Sequence, residues 1–534
     1  MAGTQYDYDW IVIGSGFGGS VAALRLAEKG YRVAVLERGR RYRTEDLPRS
    51  TWDLSRFFWL PGLGLRGITR LRPFRHAWMV GASGVGGGSL NYAGTLYRAP
   101  EKFFRDPQWD GLADWQRELA PHYDAAERML GVQEPPYESD GMRFLQTMGE
   151  AFGVAHTFRR PPCGVYFGEP GRTVDDPYHG GAGPQRTGCT RCGACMVGCR
   201  VGAKNTLDKN YLWLAERQGA VILPECFVTD IRPLGAADGA EGYLVSTERP
   251  GAWFGRRRRQ FRTRGVVVAA GAVETNRLLF HCKLTGSLPA ISDRLGTLVR
   301  TNSESILAVK LPADTKLELW RDVGNSASIY TSPDTHVEFC TYGEGGDAMA
   351  SFFTLLVGKG TTLARPLKLL GAIVRHPVAF LRTLWPFGWS RRTAVLLVMQ
   401  SLDNAIAFTA RRRRFGRGVK MGSKLDPQRP APSYIEAAHR VAAWAARHYG
   451  GIAQSSVPEA LLNVPCTSHV LGGAPIGGDA QSGVLDRHNR VFGYRNLLVC
   501  CGAAMPANPG VNPSLTITAL AEHAMSAIPA APAR

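Results

Sequence analysis

The sequence predicts an α/β protein: a nucleotide-binding domain with a parallel sheet, assembled from separated stretches of chain, and a mixed α+β domain inserted into it. Three observations predict this. Strand, glycine turn, helix and second strand follow one another between Asp9 and Leu36. Short buried-strand runs recur far downstream, at Gly265–Gly271 and Asn496–Cys500. And 534 residues exceed what one hydrophobic core usually supports.

Taken in order, Trp10-Ile-Val-Ile13 is the first apolar run and Gly14-Ser-Gly16-Phe-Gly18-Gly19 the turn. Ser20–Lys29 carries Val21, Leu24 and Ala27 at helical spacing, and Arg32–Leu36 is the second strand. A second glycine cluster, Gly81 to Gly88, precedes Ser89 and Asn91. Residues 132–188 are rich in Pro, Gly and aromatics with weak periodicity, which reads as a long excursion. From about Asn302 to Ala460 the pattern is a mixed sheet, interrupted by an apolar and basic segment from Phe352 to Trp389. The chain closes on a helix from Pro513 to Ile528, for which Asn512 suits the cap and Pro513 the first position. The nucleotide domain is therefore expected over 1–48, 76–130, 205–300 and 466–534. The excursion takes 131–204, and the substrate domain 301–465 with the insert at 352–389.

Gly14, Gly16 and Gly19 have the G-x-G-x-x-G spacing of a Rossmann-type turn. The first permits the tight turn, the second admits a pyrophosphate against the backbone, and the third lets helix and strand pack closely. The helix N-terminus then meets the phosphates. Glu37, 23 residues after Gly14, ends the second strand where a carboxylate can hold ribose hydroxyls. Together these predict a bound dinucleotide. The competing reading is a glycine-rich turn with a structural Glu37.

Four stretches resemble the glucose–methanol–choline oxidoreductases, and within them the branch containing bacterial cholesterol oxidases: Ile13–Leu36, Gly84–Leu90, Ser468–Gly473 and Gly510–Leu520. They span both ends of the chain. The resemblance implies FAD as the dinucleotide, held by Gly14, Gly16, Phe17, Gly18, Gly19 and Glu37. It extends the flavin site to Gly81, Gly86, Gly87, Gly88, Ser89 and Asn91, to Val228 and Gly271, and to Gly502, Asn512 and Pro513 near the ring. The positive end of the last helix would then face the edge of the ring that becomes anionic on reduction.

Oxidising an alcohol requires a group that takes the hydroxyl proton while hydride leaves carbon for flavin N5, and histidine is tuned for that near neutrality. The resemblance makes His469 the catalytic histidine and Asn512 its partner, with Val470 where the family usually has proline. It also implies a glutamate base in the substrate domain, but the matching stretch, Ala394–Asn404, contains none; Glu338 and Glu344 lie outside it. That leaves the sterol assignment and any isomerase activity open.

Cys189, Cys192, Cys195 and Cys199 form C-x2-C-x2-C-x3-C, the spacing of bacterial ferredoxins without their following proline. An iron–sulfur cluster, [4Fe-4S] or [3Fe-4S], is the expectation, with zinc and plain thiols as alternatives. Similar runs followed by Gly-Ala-Lys, here Gly202-Ala-Lys204, occur in dehydrogenases of the resembled superfamily. A cluster would relay electrons outward. The resulting expectation is an FAD-dependent dehydrogenase that oxidises a hydrophobic alcohol, a sterol or other lipid-like one, to the carbonyl and passes electrons to an external acceptor. An oxygen-using oxidase that makes hydrogen peroxide is the alternative; a non-catalytic electron carrier is opposed by His469 and Asn512.

Net charge is +19, gathered in runs such as Arg256–Arg259 and Arg411–Arg414. Neither run sits in a groove-reading motif or beside stacking aromatics, so nucleic acid is not an expected partner. Basic residues interleaved with the apolar positions of 352–389 suit a peripheral membrane surface, or a hairpin packed over the substrate domain. No run of about 18 uncharged apolar residues exists and no signal peptide opens the chain, so a cytoplasmic location, peripheral to a membrane at most, is expected.

Overall fold

A computed structural model describes residues 5–252, 257–414 and 418–532. Arg256, in the first of the basic runs, lies outside the described residues.

The first sheet forms around the N-terminal strand β1 (Tyr8–Ile13). Helix α1 (Phe17–Glu28) follows the glycine turn and β2 (Val33–Leu36) returns parallel to β1. On its other side β1 pairs in parallel with β3 (Arg259–Val268), the downstream apolar run. The inner half of β3 pairs in parallel with Leu497–Val499, and its outer half pairs antiparallel with Tyr243–Glu248. Val221–Leu223 extends the other edge beside β2. The parallel strands read as unbroken apolar runs because both their faces are covered; Ile11, Val12, Val35, Val266 and Val267 are fully buried. The C-terminal helix Ser514–Ser526 and the helix Trp115–Leu130 pack with α1 over one face.

The second sheet is antiparallel, with strands β4 (Ser305–Lys310), β5 (Asn325–Ser332), β6 (Thr335–Cys340), β7 (Phe353–Leu355), β8 (Thr393–Gln400) and β9 (Ile452–Ser456) in the order β5-β6-β8-β4-β9-β7. Its side chains alternate. Val337, Phe339, Leu396 and Val398 join a core with the helices Asp140–Ala151 and Glu436–His448. Glu338, Cys340, Val395 and Leu397 point the other way, into a large cavity. The segment 131–204, expected as an excursion, thus contributes the helix Asp140–Ala151 to the core of the second sheet. The insert folds as two helices, α2 (Ala364–Arg375) and α3 (Pro377–Leu384).

The helix expected to begin at Pro513 is α4 (Ser514–Ser526), with Pro513 itself at the cap and no side-chain capping bond. Asn512 is not the cap: its side-chain amide donates instead to Glu338 Oε2 at 3.2 Å. No helix among the described residues is long and apolar enough to cross a membrane.

Candidate active site

One cavity of about 620 Å³ runs from the glycine turn to the second sheet. At its nucleotide end the backbone does the shaping. Gly14 has φ +100°, and a Cβ there would lie 2.5 Å from the Ala269 carbonyl oxygen. A Cβ on Gly19 would lie 2.1 Å from the Gly14 carbonyl, so only glycine lets α1 sit this close to its strand. A Cβ on Gly18 would meet the Cys500 carbonyl oxygen at 1.9 Å. Gly16 differs: a Cβ there meets no protein atom within 4 Å and would project into open space. The same holds at Gly81 and Gly271, which also line the cavity. This is the cradle a dinucleotide requires, bare of side chains beside a helix N-terminus.

The second glycine cluster completes the cradle. A Cβ on Gly87 would come 2.6 Å from Gly16 Cα, so the two glycine turns touch. Ser89 Oγ donates to the Gly86 carbonyl at 2.7 Å and accepts from Leu207 N at 3.0 Å, fixing that turn. Phe17, Gly18, Gly88, Asn91, Val228, Gly502 and Pro513 line the cavity with them. Gly19, Gly86 and Ser89 stand behind that wall and shape it. Glu37 borders the cavity too, but its oxygens accept from Ser15 Oγ at 2.7 Å and Gly39 N at 2.8 Å. Ser15 N at 3.1 Å and Gly84 N at 3.3 Å also donate to it, so protein donors already match the roughly four acceptor sites of a carboxylate, and Glu37 fixes the two glycine turns against each other.

Sequence reasoning missed a second feature of this end. The buried Glu274 carboxylate gathers Arg70 at 2.6 Å, Arg277 at 2.7 Å, Arg72 at 3.3 Å and Arg38 at 3.5 Å. All five line the cavity. Four guanidinium groups around one carboxylate leave this wall strongly positive, which suits an anionic dinucleotide. One loop (Arg38), one strand (Arg70, Arg72) and one helix (Glu274, Arg277) supply these residues, and no spacing announces that the three meet.

At the opposite end three polar side chains converge in an apolar chamber. His469 Nδ1 is paired with the buried carboxylate of Glu304, which also accepts from Ser468 N at 2.8 Å. The network therefore assigns the proton to Nδ1 and leaves Nε2 for a substrate hydroxyl. Burial pulls the imidazole pKa down, but the Glu304 charge and hydrogen bond, with a contribution from Glu338, raise it overall. Glu338 is fully buried, and accepts from Asn325 Nδ2 at 2.6 Å as well as from Asn512. Burial pushes its carboxyl up to about 8, against the opposing pull of His469 and Asn512.

The stretch Ala394–Asn404 supplies no glutamate, but the adjacent strand does bring one to the cavity. Glu338 on β6 is paired with Leu397 on β8, so it enters the cavity beside that stretch. Glu344 does not; it is exposed and paired with Arg391. Glu304 was not foreseen. It follows a tight turn in which Asn302 and Ser303 have φ +57° and +43°. Asn302 accepts from Gly510 N at 2.8 Å and donates to the Val511 carbonyl at 3.0 Å, tying this strained turn to the loop before Asn512. Around the polar groups, Ile306, Met349, Phe352, Phe353, Val395 and Leu397 make the chamber wall apolar.

The four cysteines of the ferredoxin-like run do line one space, but it measures about 10 Å³, room for a single water at most. Among the described residues no three His, Cys, Asp or Glu side chains are placed to hold a metal ion. Cys189, Cys195 and Cys199 accept backbone N–H groups of Arg191, Gly324 and Lys204 at 3.3–3.4 Å. Burial pushes the Cys189 thiol up to about 12, and Cys195 is also raised by burial. Cys189, Cys195 and Cys199 pack in an apolar cluster with Val165 and Val323. Lys204 of the Gly-Ala-Lys run is a buried tie, donating to the carbonyls of Leu90, Tyr92 and Cys195 at 2.7–3.1 Å.

Comparison with known proteins identifies the family. Models of the GMC oxidoreductase family match residues 183–295 and 434–521, and a model of the NAD(P)-binding Rossmann-like domain matches 12–48. A cholesterol oxidase of Mycobacterium tuberculosis is 47% identical over 98% of this chain and 91% of its own length. A cholesterol oxidase of Acinetobacter baumannii is 44% identical over 99% of this chain and 96% of its own. The crystal structure of pyridoxine 4-oxidase from Mesorbium loti shares the fold at a TM-score of 0.62 and 15% identity, covering 97% of this chain and 98% of that one. With a glycine cradle for FAD at one end of its cavity and a histidine at the other, the chain belongs to the glucose–methanol–choline oxidoreductases and is an FAD-dependent enzyme acting on alcohols.

Proposed function

We propose that the chain oxidises the hydroxyl of a sterol-like alcohol to the carbonyl, with dioxygen as electron acceptor. One observation carries the reading: His469, Asn512 and Glu338 line the same cavity as the apolar side chains of Ile306, Met349, Phe352, Phe353, Val395 and Leu397. A bulky apolar alcohol fits there with only its hydroxyl among polar groups. The relatives named cholesterol oxidase support the same substrate class and acceptor.

In this reading His469 Nε2 accepts the hydroxyl proton, and Glu304 stabilises the imidazolium that forms. Asn512 holds Glu338 by donating from Nδ2 and presents its side-chain oxygen Oδ1, which has no protein partner, to the site. FAD, when bound, supplies the acceptor for the carbinol hydride and passes the electron pair to dioxygen. Glu338, with its carboxyl pushed up to about 8, is placed for double-bond isomerisation: its carboxylate form would take a proton from one carbon of the substrate skeleton, and the resulting acid would return it to another.

Anaerobic mixing with cholesterol tests the reading. The flavin absorbance should bleach, and admitting air should restore it with one hydrogen peroxide per ketone formed. Failure of sterols to bleach a flavin that small polar alcohols reduce would refute the substrate class. Bleaching without reoxidation by air would refute the acceptor. The expected iron–sulfur relay has no support in the cysteine geometry. Iron and acid-labile sulfide in anaerobically prepared protein should be absent; about three or four irons per chain would reinstate the relay and an external acceptor.

A further inference from the structure

Helices α2 and α3 are apolar on two faces. The inner face, with Leu369, Ile373, Ala379 and Phe380, packs against Leu355, Val357 and Ala460. The outer face of α2 carries Leu363, Leu367, Leu370 and Val374 at helical spacing, 57% to 81% exposed. Val378, Leu381, Leu384 and Trp385 continue it on α3, all at least 58% exposed. A solvent-facing helix surface is ordinarily polar, and contiguous apolar surface of this extent marks an interaction site.

The exposure does not come from loose attachment. Arg365, fully buried, donates to the carbonyls of Ser433 at 2.9 Å and Val357 at 3.2 Å and pairs with Glu459 at 3.2 Å. At the far end Lys310 donates to the carbonyls of Arg382 at 2.7 Å and Trp385 at 2.8 Å, closing the last turn of α3. The hairpin is held firmly with its apolar stripe outward.

Charge identifies what covers it. No Asp or Glu occurs between Asp347 and Asp403, whereas Lys359, Lys368, Arg375 and Arg382 are exposed alongside the stripe. A second copy laid face to face would set these cations against one another; an anionic surface would neutralise them. Position points the same way. α3 packs on the turn Asp347–Phe352 and on β7, and both line the cavity, as do Trp52 and Leu54, each about half exposed.

We propose that the α2–α3 hairpin docks on an anionic lipid bilayer, submerging its outer stripe so that the cavity opens beside the membrane. Delivery of substrate by this route rests on the sterol-like reading above; the docking itself does not.

Flotation of the FAD-bound full chain with sterol-free vesicles tests it. Binding to phosphatidylcholine mixed with phosphatidylglycerol should exceed binding to phosphatidylcholine alone and fall as salt is raised. The double variant Leu370→Ser/Leu381→Ser should lower partitioning by about tenfold or more, with FAD content and Tm unchanged. Arg375→Glu/Arg382→Glu should remove the preference for anionic vesicles. Wild-type protein that stays off the vesicles, or a Leu variant that partitions like wild type, would overturn the proposal. So would a wild-type dimer that the Leu variant abolishes without any vesicle binding, which would make a second copy the occupant. Intact docking with no sterol oxidation would instead count against the substrate reading alone.

Discussion

At its nucleotide end the cavity is shaped by backbone, through glycines adjacent in sequence; at its substrate end it is shaped by buried side chains drawn from four separate elements. Gly14, Gly16, Gly18 and Gly19 act by what they lack, and each tolerates or rejects a side chain according to what stands within a few ångströms. His469, Glu304, Glu338 and Asn512 act by mutual ionisation and hydrogen bonding in a dry site, where each sets the protonation of its neighbours. The comparison teaches that defects at the first end should be steric and complete, and those at the second graded and dependent on pH.

The largest effect is expected at Gly16. Gly16→Val should leave a folded protein, since a Cβ there meets no protein atom, yet abolish FAD binding because the side chain takes the space of the pyrophosphate. Gly18→Ala should lose the fold as well, its Cβ running into the Cys500 carbonyl. Flavin content and circular dichroism of the two variants separate these outcomes, and a Gly16→Val protein with normal FAD would break the comparison.

Next is His469→Ala, expected to lower turnover by on the order of a hundredfold or more, the scale of a lost acid–base group, with FAD content unchanged. Rates near wild type would move the proton-handling role elsewhere.

Glu304→Gln should act more gently, about tenfold on kcat, and should shift the pH profile. Glu304 raises the His469 pKa, and the proposed mechanism uses the neutral imidazole as base. Removing the charge should therefore move the acidic limb of kcat/KM to lower pH while the plateau falls. A profile that drops without shifting would reduce Glu304 to a packing role.

The smallest effect concerns stability. Glu338 titrates near 8 in the fold and, once unfolded, near its ordinary 4.5, so between those values the folded state binds the extra proton. Stability should fall across that window as pH rises, by at most about 1.4 kcal/mol per pH unit. Glu338→Gln should flatten the decline of Tm between pH 5 and 8, and an unchanged slope would mean that the carboxyl is already ionised.

The sequence by itself determined the nucleotide half and the family. A glycine motif between two strands encodes local sterics, and local sterics survive without knowledge of the rest of the chain. His469 and Asn512 were legible because they lie in two short stretches that resemble a known family; their partners were not. Glu338 was dismissed as outside the matching stretch because strand pairing, not chain position, sets it opposite Leu397. Glu304 meets His469, and Arg38 and Arg70 meet Glu274, through contacts between residues far apart in the chain, which no spacing records. The cysteine run shows the converse error: ferredoxin-like spacing specifies which sulfurs are near in sequence, whereas tertiary packing left only about 10 Å³ between them. Binary pattern likewise marked α2 and α3 as apolar and basic, but only the packing of their inner faces decided that a full apolar stripe remains outside. The physical reason is common to all of these: backbone shape is a short-range property, while burial and charge pairing are set by whichever distant segments the fold stacks together.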